Sequence, residues 1–243
     1  MDTVLLTRYG GWGDLIAILP TIVELRKRHP KAKFVLRTYV DYKDFFRGSK
    51  WIDEIVLDDN RYQTFPAQSG TFKNQATGDD IIHHYNFSNT ADHYEDAHMV
   101  NIYAHSARIT LPNPLEYGYT PGIFDCYDFL CDSPSVVVQC RKVGDGRDLI
   151  AEDLPLSLAG AYFIDAKLPE RNYINLIANC RVFIGPDSSG LHIAAACGVP
   201  HVFGLYTPKF HPAIRAYRGF HTYLDVKEMG KDITAFLSRD KTV

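Results

Sequence analysis

The stretch Val182-Phe183-Ile184-Gly185-Pro186-Asp187-Ser188-Ser189-Gly190-Leu191-His192-Ile193-Ala194-Ala195-Ala196-Cys197-Gly198-Val199-Pro200 decides the reading of the fold. Its opening, residues 182–185, is a short apolar run fit for a buried strand. A small, hydroxyl-rich loop follows, then a segment made almost wholly of small residues, which suits a helix lying close to a sheet. A strand that turns through such a loop into a helix offers an anion the free N–H groups of the first turn, with two serine hydroxyls beside them. The same residues also fit an ordinary capped helix, with Asp187 or Ser188 as N-cap and His192 a partly buried, satisfied side chain.

Around this unit the sequence alternates strand and helix. Strands are predicted over 135–140, 161–164 and 200–204, and a helix over 169–179, with a glycine-containing basic loop at 141–148. The N-terminal half has the same rhythm. An apolar strand over 3–7 runs into Tyr9-Gly10-Gly11-Trp12-Gly13-Asp14, after which Leu15, Ile18, Leu19, Ile22 and Leu25 recur at helical spacing. Arg26-Lys27-Arg28-His29-Pro30 supplies cations and a proline stop at the helix end, and Pro20 is expected to bend the helix. Strands over 33–37, 54–57 and 80–86 and helices over 39–47 and 92–109 complete this half, with a long polar excursion at 58–80. Prolines 112, 114 and 121 with glycines 118 and 122 mark a linker. The fold class is therefore α/β, with two Rossmann-like domains over about 1–120 and 121–243.

Composition narrows the function. The 243 residues are 46% hydrophobic and 23% charged, with 26 Lys+Arg against 29 Asp+Glu, which argues against a chain held to nucleic acid by an overall positive field. Locally, residues 26–50 contain nine Lys or Arg and two Asp, a run that is either a solvated face or a surface for a phosphorylated acceptor. No apolar run approaches the roughly 18 to 20 residues that span a bilayer, and the N-terminus lacks a secretory layout, so a cytoplasmic location is expected. Cys126, Cys131, Cys140, Cys180 and Cys197 include no CxxC pair and are read as reduced and mostly buried.

Asp14 is open to two readings: a carboxylate capping a helix N-terminus, or a catalytic base where the strand edge opens to a cleft. His84, near the end of a parallel strand, is an acceptor-site candidate because α/β folds place ligands there. His93, His98 and His105 are spaced by five and seven, which does not give an i, i+4 metal pair. No Asp-x-Asp triplet occurs, and no metal site is expected.

The two glycine-containing segments together resemble the heptosyltransferase-like glycosyltransferases of family 9, which have the GT-B fold. Gly13-Asp14-Leu15-Ile16-Ala17-Ile18-Leu19-Pro20 matches that family's glycine-aspartate helix start and following proline. Phe183-Ile184-Gly185, Asp187, His192, Ala194-Ala195-Ala196 and Gly198-Val199-Pro200 match its C-terminal motif, and Trp51-Ile52-Asp53-Glu54-Ile55-Val56 looks like its second βα unit. Two departures are visible: Ser189 stands where the family usually has glycine, and the chain is compressed between Cys140 and Ala161.

The resemblance implies an inverting transferase whose two domains face each other across a cleft. The N-terminal domain takes the acceptor, with Gly11, Trp12 and Gly13 beside it and Asp14 as general base. The C-terminal domain binds a nucleotide-diphosphate sugar as co-substrate. Asp187, Ser188, Ser189, Gly190 and His192 surround the diphosphate, assisted by Arg141, Lys142 or Arg147, with no metal and no cofactor. The acceptor is a hydroxyl of a glycan or lipopolysaccharide, or of a hydroxymethylated base in DNA. Two other classes compete: a dinucleotide-dependent oxidoreductase, disfavoured because GxGxxG is absent, and a non-catalytic nucleotide-sugar or nucleic-acid binding module on a decayed scaffold.

Overall fold

The computed structural model describes residues 1–38, 46, 49–57, 69–73, 80–88, 98–111, 134–141, 144, 148–155, 158, 160–164, 168–208 and 216–239. The helix expected over 39–47, apart from Phe46, and the linker over 112–122 lie outside them, as do His93, Cys126, Cys131, Lys142 and Arg147. The chain forms two compact units, Met1–Cys126 and Tyr127–Val243.

In the first unit, β1 (Thr3–Thr7) leads into α1 (Trp12–Ala17) and α2 (Leu19–Arg28). The bend expected at Pro20 is a break at Ile18, which leaves the proline in the first turn of α2, where its missing N–H has no partner to lose. Next come β2 (Lys33–Thr38), β3 (Glu54–Leu57), β4 (Gly70–Lys73), β5 (Ile81–Asn86) and α3 (Met99–Ser106). The sheet order is β3-β2-β1-β5-β4, parallel except that β4 runs antiparallel to β5. β4 lies within residues 58–80, which the sequence marks as a long polar excursion and to which it assigns no strand. Leu5, Val35, Val56 and Ile82 form a buried cluster on the sheet, while α1 and α2 bury Leu15, Ile18, Leu19, Ile22 and Leu25 completely. The periodicity read from the sequence is thus the packing face of these two helices.

The second unit begins with β6 (Val136–Gln139) and β7 (Tyr162–Ile164), followed by α4 (Glu170–Asn179) and β8 (Val182–Pro186). Then come α5 (Ser189–Cys197), β9 (His201–Leu205), β10 (His221–Tyr223) and α6 (Val226–Arg239). Its sheet is parallel throughout in the order β10-β9-β8-β6-β7. Gly198, in the left-handed region at φ 69°, ends α5, and the Val199 N–H closes back on the Ala194 carbonyl at 3.0 Å. Val138, Leu149, Val182, Ile184, Phe203, Leu205, Met229 and Ile233 belong to one buried core. β10 and α6 had no counterpart in the sequence reading. Among the described residues, no helix is long and apolar enough to cross a membrane.

Candidate active site

In each sheet the chain reverses its direction of travel beside one strand, and ligands of such α/β folds bind beyond the carboxyl ends of the strands at that point. In the first unit it lies between β1 and β5. There Gly10 and Gly11 carry β1 into α1. A Cβ at Gly10 would meet Asp14 Oδ2 at 2.5 Å and Arg8 Nη2 at 2.9 Å, so only glycine lets these side chains close over the backbone.

The cap of α1 differs from expectation. Gly11 is the N-cap and Asp14 stands at N3, where its Oδ2 accepts the Gly11 N–H at 2.9 Å. Asp14 Oδ1 is held by the Arg8 guanidinium at 2.7 Å and accepts the Tyr103 hydroxyl of α3 at 3.0 Å. Arg8 is almost wholly buried; its other terminal nitrogen donates to the Tyr9 and Phe87 carbonyls at 3.3 and 3.4 Å. Asp14 stays about a quarter exposed, at 23% of its side chain. Gly11 is exposed, while Trp12 and Gly13 are half-buried in the first turn.

His84 lies two residues before the end of β5, buried, with Nε2 3.1 Å from the Thr7 hydroxyl. Burial, with the Arg37 charge nearby, lowers its pKa to about 4, which keeps the imidazole neutral. His84 therefore sits inside the sheet layer and Asp14 opens to solvent.

In the second unit the corresponding point lies between β6 and β8. Ser188 is the N-cap of α5, yet its hydroxyl does not cap the helix; it donates instead to Gln139 Oε1 at the end of β6, 2.9 Å away. The Ser189 and Gly190 N–H groups consequently have no acceptor among the described residues. Ser189 Oγ lies 3.4 Å from the Tyr173 hydroxyl, and burial pushes that phenol up to about 12, so it remains protonated. A Cβ at Gly190 would meet Gln139 Oε1 at 2.2 Å, Phe183 at 2.6 Å and the Tyr173 hydroxyl at 2.9 Å; this packing fixes the glycine.

His192 and Asp187 are both buried; His192 Nδ1 lies 2.7 Å from the Tyr217 hydroxyl, and the Asp187 N–H bonds the Leu205 carbonyl. Arg141 is exposed at the root of its loop, where its backbone bridges Leu149 in both directions, at 2.8 and 2.9 Å. The structure thus gathers Ser188, Ser189 and Gly190 at one helix start. It adds Gln139, Tyr173 and Tyr217, which the sequence reading missed, as it missed Arg8 and Tyr103.

Other candidates carry less. Arg26 pairs with Asp53 at 2.6 Å, Lys27 with Glu24 at 2.6 Å, and Lys33 with Glu54. The acidic partners lie outside residues 26–50, so folding neutralises part of the excess counted along the chain. Cys140, Cys180 and Cys197 are free, and burial raises all three thiols, which removes them as thiolate nucleophiles. Among the described residues, no three His, Cys, Asp or Glu are placed to hold a metal ion.

The sequence model of glycosyltransferase family 9 (heptosyltransferase) matches residues 150–231, which include β8, α5 and β9. No curated protein matches the chain. Among solved structures, a glycosyl transferase family 9 protein from Veillonella parvula is 12% identical, with 99% of each chain covered and a TM-score of 0.65. The E. coli heptosyltransferase WaaC with ADP is also 12% identical, covering 98% of this chain and 99% of that one, TM-score 0.64. TibC, an iron-containing dodecameric glycosyltransferase from enterotoxigenic E. coli, is 13% identical, covering 92% of this chain and 62% of that one, TM-score 0.61. The chain therefore has the GT-B fold of these structures, and over residues 150–231 its sequence matches glycosyltransferase family 9.

Proposed function

We propose that this protein is an inverting glycosyltransferase that moves a sugar from a nucleotide-diphosphate donor to a hydroxyl acceptor. The carrying observation is Asp14, a carboxylate anchored by three donors and still open to solvent at the carboxyl end of β1. An alcohol attacks poorly unless its proton is accepted as the new bond forms, and Asp14 is the base for that step. The first turn of α5, with the open Ser189 and Gly190 N–H groups, is the cradle for the departing diphosphate, joined by Ser188, His192, Asp187, Arg141, Lys142 and Arg147. Gly11, Trp12, Gly13 and His84 stand on the acceptor side. The unit Met1–Cys126 is then the acceptor domain and Tyr127–Val243 the donor domain.

The similar WaaC structures contain ADP and ADP-2-deoxy-2-fluoro heptose, which makes ADP-heptose the first donor to test. A glycan or lipopolysaccharide hydroxyl is the favoured acceptor, because the similar solved structures include the E. coli ADP-heptose lps heptosyltransferase II. The reaction needs neither metal nor cofactor in this reading. The free thiols Cys140, Cys180 and Cys197 agree with a cytoplasmic site of action. A thermal-shift panel of ADP, UDP, GDP, NAD and the sugar nucleotides tests the class. Stabilisation by one nucleoside diphosphate series and its sugars is expected; a response to NAD alone would replace the transferase with an oxidoreductase.

A further inference from the structure

We propose that Arg8 and Tyr103 are positioning residues that decide which oxygen of Asp14 takes the acceptor proton, and that this oxygen is Oδ2. The inference rests on the transferase reading above. A carboxylate offers about four acceptor positions, two on each oxygen. Oδ1 receives both the Arg8 guanidinium, at 2.7 Å, and the Tyr103 hydroxyl, at 3.0 Å, and is filled. Among the described residues Oδ2 receives the Gly11 N–H alone, at 2.9 Å, and one of its positions stays open.

The two donors on Oδ1 are themselves packed and bonded in place. Arg8 is 4% exposed and tied to two backbone carbonyls, and its guanidinium lies 5.3 Å from the centre of the Tyr103 ring. Tyr103 is fully buried and meets Phe87 edge-on at 5.8 Å. A carboxylate on a solvated surface turns freely about its last bond and presents either oxygen. Asp14 is clamped from the core side, so its open lone pair has one direction.

In the transfer step the acceptor O–H bond breaks and its proton forms a new O–H bond on Oδ2. The freed electron pair of the acceptor oxygen makes the bond to the anomeric carbon. The old bond from that carbon to the phosphate oxygen breaks, and its electron pair leaves with the nucleoside diphosphate. Arg8 and Tyr103 touch none of the reacting atoms and act through Asp14.

The test is Tyr103→Phe, which keeps the ring and removes the hydroxyl, with Arg8→Lys as a second variant that keeps the charge and loses the fork. Release of nucleoside diphosphate from ADP-heptose, UDP-glucose and GDP-mannose is measured with and without a glycan acceptor, alongside ADP affinity and melting temperature. The expected result is a kcat lowered about 10-fold or more, the scale of a misplaced reacting group, with donor KM and ADP affinity unchanged. A folded Tyr103→Phe protein with wild-type kcat overturns the positioning role and leaves the transferase reading standing. A fall in kcat accompanied by an equal loss of ADP affinity also overturns it, because the residue would then shape the donor site. A wild-type protein that binds ADP but leaves every donor intact overturns the assignment of Asp14 as base, and this inference with it.

Discussion

At the carboxyl end of β1 the chain gathers an ion pair, Arg8 with Asp14, whereas at the carboxyl end of β8 the first turn of the helix is met by hydroxyls and an amide: Ser188, Ser189, the Tyr173 phenol and the Gln139 carboxamide. Both ends are built as strand, glycine-containing loop and helix, yet they handle the free N–H groups of the helix start differently. In the first unit the protein supplies its own anion, since Asp14 accepts the Gly11 N–H. In the second, the Ser188 hydroxyl turns to Gln139, and no side chain among the described residues caps the helix. In the proposed reaction the first end receives the acceptor proton and the second the departing diphosphate, the two requirements of sugar transfer from a nucleotide.

The largest expected effect strikes the first end. Asp14→Asn should lower turnover by about 10²-fold or more, the usual contribution of a positioned base, while ADP affinity holds. It should also lower stability by about 3 kcal/mol, because the buried Arg8 guanidinium loses its carboxylate. Initial rates and urea midpoints of the two proteins check both parts, and normal turnover in the variant would reduce Asp14 to a structural anion.

Acid should distinguish the units next. The His84 pKa of about 4 lies below the ordinary 6.5, so its share of stability is complete above pH 6.5 and is lost as pH falls towards 4. The loss amounts to about 3 kcal/mol across that window. Trp12 and Trp51 both belong to the first unit, so their fluorescence follows its urea unfolding at pH 7 and pH 4.5. His84→Gln should remove most of the pH dependence; an unchanged slope would show that another group carries it.

A smaller effect is expected at the second end. Ser188→Ala combined with His192→Ala should weaken ADP binding by roughly 1 to 3 kcal/mol, the scale of hydrogen bonds to a charged group. Calorimetric titration of a folded double variant reads this directly, and unaltered affinity would move the diphosphate elsewhere. The smallest expected change is none: turnover should survive EDTA. Loss on chelation, restored by an added metal, would align this protein with the iron-containing description of TibC.

The sequence carried β1, α1 and β8 to α5 because local chemistry marks them: apolar runs, glycine turns, and apolar residues repeating at helical spacing. β4 escaped because its four residues alternate between half-buried and exposed at a sheet edge, and no core pattern betrays them. α6 did leave a signal, Met229, Ile233, Phe236 and Leu237 at helical spacing against the core. The contacts that define the candidate site were the least legible. Tyr103 reaches Asp14 across 89 residues and Ser188 reaches Gln139 across 49, and no window of sequence holds both members of either pair. Arg8 gave one retrospective hint, a charged residue directly after a strand whose centre, Val4-Leu5-Leu6, is wholly apolar.

The pairing of β4 with β5 has a consequence for how the molecule assembles. Among the described strands it is the one antiparallel pairing, and it joins segments close in the chain. Such a hairpin closes a short loop and can form early, before the slower search for distant partners. The second sheet has no such starting point among its described strands, since each pairing there is parallel and requires a crossover. During synthesis β4 and β5 of the first unit emerge close together, whereas β6 of the second unit lacks its β8 neighbour until β8 has left the ribosome. The second unit's exposed strand edges are therefore the interval in which a newly made chain is most open to aggregation and to chaperones.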